Sequence, residues 1–90
     1  MKVPARQITM ETAAALASAG AASLSAGDPV FDFCDVERAD SSAVALMLGW
    51  MRKARTLGLE CAFENIPPGL QSLLALYGVE PLLHPHHRHS

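Results

Sequence analysis

The stretch RADSSAVALMLGW, Arg38–Trp50, decides how the chain is read. Asp40, Ser41 and Ser42 are all suited to cap a helix, because a short side-chain oxygen accepts a backbone N–H that the first turn leaves unpaired. The run that follows is apolar on most of its sides. Capping accounts for the hydroxyls but not for the breadth of that surface. Taking about 100° per residue, the apolar arc runs from Leu46 and Leu57 through Trp50, Ala54, Met47 and Met51 to Val44 and Leu48, and spans about 200°. A helix lying on a sheet needs a stripe of little more than ~100°. The Leu46 and Trp50 edge is therefore expected to be left over after packing. Exposed Trp and Leu beside a helix N-terminus make a protein contact surface.

Outward from this helix the chain alternates. Arg6–Met10, RQITM, has the β-branched content of a short strand. Thr12–Ala26 is an Ala-rich helix weakened by Gly20. Gly27–Pro29 is a turn, and Val30–Cys34, VFDFC, a buried strand with Asp32 as its anomaly. Asp35–Asp40 reads as a polar connection into the second helix, which runs to about Leu57. Gly58 stops that helix after Arg52, Lys53 and Arg55 have placed cations near its negative end. Leu59–Ile66 is a strand in which Leu59, Cys61 and Phe63 alternate with Glu60, Ala62 and Glu64, and Asn65 breaks the series. Pro67 and Pro68 open a third helix with Leu70, Leu73, Leu74 and Tyr77 as its inward stripe, ended by Gly78. Val79–Leu83, VEPLL, completes the series as a short strand. The order β-α-β-α-β-α-β predicts a largely parallel or mixed sheet with crossover helices.

Composition narrows the function. Ninety residues make one domain, assigned to residues 1–83, with a flexible His-rich tail at 84–90. The formal net charge of −2 does not suit a chain held to nucleic acid by its overall field. The basic cluster Arg52, Lys53, Arg55 reads first as a solvated helix face. Two cysteines, Cys34 and Cys61, follow no C-x-x-C spacing and read as reduced thiols. Lys2 and Arg6 ahead of AAALASAGAASLSAG imitate a signal peptide. Glu11 interrupts the approach, however, and Ala, Ser and Gly make a weak apolar region, so a helix is the better reading. No apolar run approaches the ~20 residues of a membrane span.

Enzyme chemistry finds little support. The chain has no phosphate-gripping G-x-x-x-x-G-K-[ST] or G-x-G-x-x-G, no H-E-x-x-H and no G-x-S-x-G. His84, His86, His87 and His89 lie in a tail with nothing to fix a triad or a metal, so no catalytic, metal or cofactor residue is assigned.

The segment VFDFCDVERADSSAVALMLGWMRKARTLGLECAFENIPPGLQSLLALYGVEPLL resembles a STAS domain, the fold of anti-sigma-factor antagonists and sulfate-transporter tails. That family pairs an "hDhS" strand, h being apolar, with a D-[ST]-[ST]-G-hhhLL helix start. Here these read Phe31-Asp32-Phe33-Cys34 and Asp40-Ser41-Ser42-Ala43-Val44, with Ala43 in place of the usual glycine. STAS domains commonly open with two strands, and only RQITM is visible. The final LQSLLALYGVEPLL, Leu70–Leu83, is most similar to the MlaB branch. The resemblance implies an α/β STAS fold with a small mixed sheet and a short N-terminus. It also implies a non-catalytic subunit of an Mla-type phospholipid ABC transporter. Its partner would be the cytoplasmic MlaF-like ATPase, and through it the permease, with the chain peripheral to the inner membrane and not inserted in it. The resemblance places Ser41 in the surface that grips the ATPase. Together with the left-over apolar edge of the helix, this puts Asp40, Ser41, Ser42, Leu46 and Trp50 at the expected contact, with Ala45 and Gly49 allowing close approach on the same side. The alternative is an anti-sigma antagonist in which Ser41 is the phospho-acceptor.

Overall fold

A computed structural model describes residues 1–78; the expected strand Val79–Leu83 and the His-rich tail lie outside the described residues. The elements are β1 (Gln7–Ile8), α1 (Met10–Ser25), β2 (Val30–Asp32), β3 (Arg38–Ala39), α2 (Ser41–Thr56), β4 (Ala62–Glu64) and α3 (Pro68–Leu76).

The strands are shorter than their sequence patterns suggest, and the described pairings are parallel. β2 pairs with β4, Phe31 opposite Phe63, and β1 pairs with β3, Ile8 opposite Ala39. The polar connection before α2 therefore contains a strand. β3 leaves no sequence signature because Arg38 and Ala39 carry no apolar alternation, and their ladder is made of backbone bonds such as Asp40 N–H to Ile8 O at 3.1 Å. The N-terminal residues add a parallel β-bridge beside β2. Lys2 bridges Asp32 in parallel, Val3 N donates to Asp32 O at 2.8 Å, and Asp32 N donates to Met1 O at 2.9 Å. From the isolated Lys2–Asp32 bridge to the Gln7–Arg38 pair of the β1–β3 ladder the register advances by one residue.

Local chemistry fixes the helix ends. α1 starts at Met10, ahead of the expected Thr12, because Thr9 takes the cap position and its backbone N–H is met by Thr12 Oγ1 at 3.0 Å. α2 ends in a Schellman motif: Gly58, at φ +74°, donates to Arg55 O at 3.1 Å, and Leu59 N donates to Ala54 O at 2.8 Å. Pro68 occupies the first turn of α3.

One face of the β2–β4 pair carries the aromatic core. Phe31 stacks on Trp50 of α2 with ring centres 4.2 Å apart and planes 4° from parallel, and Phe63 lies 5.7 Å from Phe31. Leu16 and Leu24 of α1 and Leu70 and Leu74 of α3 close over the same centre. Along β4 the expected alternation holds: Leu59, Cys61 and Phe63 are half-buried, while Glu60, Ala62 and Glu64 are exposed. Tyr77 leaves the inward stripe of α3. It is the C-cap residue and is 50% exposed.

Candidate functional site

The N-terminus of α2 sorts its three capping residues into different roles. Asp40 is the N-cap and accepts from Ser42 N at 2.8 Å, and Ser42 Oγ also donates to the same carboxylate oxygen. These bonds, the hydroxyl first and the backbone N–H second, hold the Asp40 carboxyl below its ordinary pKa. Ser42 is thus committed to the cap. Ser41 is exposed, and its hydroxyl makes no hydrogen bond among the described residues. It stands in the first turn, where unpaired N–H groups and the helix dipole favour polar or anionic company.

Ala45 and Gly49 follow on the same side of the helix. Ala45 is exposed and Gly49 half-buried, and a side chain added at Gly49 would meet nothing within 4 Å. Ser41, Ala45 and Gly49 thus form a strip of small residues along one side of the helix.

Leu46 and Trp50 do not belong to this surface, which corrects the expectation from the apolar arc. Leu46 is 6% and Trp50 2% exposed. The reason is the position of α2 in the fold. It packs against α1 on one side and α3 on the other, besides covering Phe31, so three neighbours absorb a wide arc where one sheet would not. Trp50 reaches α1 at Gly20, the residue whose lack of a side chain admits the indole.

A groove of about 470 Å³ reaches the cap of α2 at Asp40 and is lined in part by Gln7, Thr9, Arg38, Pro67 and Leu70. The N-cap residues of the three helices among the described residues, Thr9, Asp40 and Pro67, border it. It opens at the C-terminal ends of β1 and β3, where open α/β sheets hold their ligands.

Asp32, the anomaly of its strand, is explained by a partner far along the chain. Its carboxylate accepts from Asn65 Nδ2 at 2.9 Å and from Cys34 N at 2.9 Å, tying the ends of β2 and β4 together. Those two bonds lower its pKa, the Asn65 amide contributing most. Asn65, at φ +56°, turns β4 toward α3. Both residues stood out in sequence, Asp32 as a charge in an apolar run and Asn65 as a break in alternation. Nothing in the sequence paired them.

The two cysteines are free thiols. Burial pushes Cys61 up to about 11, and Cys34 is raised by desolvation and then by the Asp32 carboxylate. Among the described residues no three His, Cys, Asp or Glu side chains gather to hold a metal ion. No helix among them is long and apolar enough to cross a membrane.

A family model described as "Mlab, STAS domain" matches residues 6–84, most of the chain. No curated protein matches it.

Proposed function

The chain belongs to the MlaB-like STAS family, and on that footing we propose that it is a non-catalytic binding subunit of an Mla-type ABC transporter. In this reading it binds the cytoplasmic ATPase subunit, MlaF-like, through the exposed side of the α2 N-terminus. It supports the assembly or turnover of that ATPase in phospholipid movement between the inner and outer membranes. The chain itself stays in the cytoplasm, at the membrane only through the complex.

The observation that carries the proposal is the uncommitted Ser41 hydroxyl. Asp40 and Ser42 satisfy the cap between them, so the fold makes no hydrogen-bonding use of Ser41 among the described residues. The Ala45 and Gly49 strip beside it offers close approach at small entropic cost, since neither residue has rotamers to lose. Asp40, Ser41, Ser42, Ala45 and Gly49 are the contact residues. Leu46 and Trp50 support the helix from below.

Co-purification tests it: the tagged chain, expressed with an MlaF-like ABC ATPase, should retain the ATPase and alter its turnover. Recovery of an anti-sigma kinase instead, with phosphate transferred to Ser41, would replace this reading with the antagonist alternative.

A further inference from the structure

The basic end of α2 extends the same face and suggests the chemistry of what covers it. Ser41, Ala45, Leu48, Arg52 and Arg55 follow one another at spacings of four, three, four and three residues, a single seam about 21 Å long at 1.5 Å per residue. Ser41, Ala45, Arg52 and Arg55 are exposed and Leu48 is half-buried. The helix contains no acidic residue between Ser41 and Thr56.

No ion pair or side-chain hydrogen bond among the described residues uses these cations. Lys2 and Arg6 have carboxylate partners, Asp35 at 4.0 Å and Glu37 at 3.0 Å. Arg52 and Arg55 have no ion pair and no side-chain hydrogen bond among the described residues, although the chain is acidic overall. They are not needed to satisfy the helix end either. The carbonyls of Ala54 and Arg55 are met by Leu59 and Gly58 N–H, and that of Lys53 by Thr56 Oγ1 at 2.7 Å. What the cations leave to the helix is the weaker, hydrogen-bond-free attraction of its dipole.

Resting on the α2-face reading above, we propose that the partner ATPase lays a carboxylate-bearing surface against Arg52 and Arg55 while its uncharged part closes on Ser41 and Ala45. Guanidinium groups suit that task, since each presents a fork of donors to a carboxylate. An acidic chain gains no long-range attraction for an acidic partner, so the attraction is local to this end of the helix and fixes register.

The test is binding of the full chain to the intact ATPase across 50–500 mM NaCl. Wild-type affinity should fall with salt. Arg52→Glu/Arg55→Glu should weaken binding at least tenfold at low salt and flatten the salt dependence, and the neutral pair Arg52→Gln/Arg55→Gln should fall between. Lys53→Glu, about 100° round the helix from Arg52, should change affinity less than threefold. Unchanged or tighter binding by both double variants would overturn the acidic surface. In that case weakening by Ser41→Asp in the same assay would leave the α2-face reading standing, and an unaffected Ser41→Asp would remove both.

Discussion

Gly20 of α1 is the seat of the Trp50 indole of α2: a methyl group on Gly20 would lie 2.1 Å from Trp50 Nε1 and 2.3 Å from Cε2. The ring has little room to retreat, because its other side stacks on Phe31. In the sequence Gly20 reads as a weakness in a helix. In the fold it sets how closely the two longest helices approach.

Gly20→Ala should therefore destabilise the domain. Helix propensity alone would favour alanine by about 1 kcal/mol. Overpacking against a fixed ring costs about 1–3 kcal/mol and should win. Urea unfolding measures the balance, and Trp50→Phe in the Gly20→Ala background should recover part of the loss, as expected for residues in contact.

Trp50 is the only tryptophan, and its emission should be that of a buried indole, shielded from iodide until the protein unfolds. Its Nε1–H has no hydrogen-bond partner among the described residues. Trp50→Phe removes that unpaired donor along with some volume, so it should cost much less than Trp50→Ala, for which about 3–5 kcal/mol is expected. Equilibrium denaturation of the two variants checks the difference.

Acid should weaken the fold through Asp32 and Asp40. Both carboxyls are lowered by bonds made in the folded state, Asp32 chiefly by Asn65 and Asp40 chiefly by Ser42. A lowered folded pKa means that their stabilisation is complete above about pH 4, the unfolded carboxyl value, and is lost as pH falls through the folded one. Thermal melts between pH 7 and pH 2 should show this loss. Asp32→Asn and Asp40→Asn should each be less stable at neutral pH and less sensitive to acid.

Neither thiol should be reactive at neutral pH. Cys61 is held in the protonated form by burial and Cys34 by its desolvated setting beside Asp32, so both should react with a disulfide reagent more slowly than a free thiol. Cys34, the exposed one, should be modified before Cys61.

Much of this was legible in the sequence because it is local. Caps, glycine stops and short-period alternation located all three helices and the core of β2 and β4. What stayed hidden depends on distant parts of the chain. β3 exists only through backbone bonds to β1, and Asp32 is explained only by Asn65. The burial of Leu46 and Trp50 follows from α2 having two helical neighbours, which no count along one helix reveals. The site divides the same way. The hydroxyl-rich turn was visible, but the assignment of Ser42 to the cap and the release of Ser41 required the folded geometry.

The most direct measurement is the affinity of the ATPase for Ser41→Asp and for Ala45→Arg, alongside their melting temperatures. Ser41 lies in the first helical turn, where a carboxylate suits the dipole, and Ala45 is exposed, so both variants should melt within a few degrees of wild type. The account predicts that each binds the ATPase at least tenfold more weakly. Folded variants that bind as tightly as wild type would contradict it.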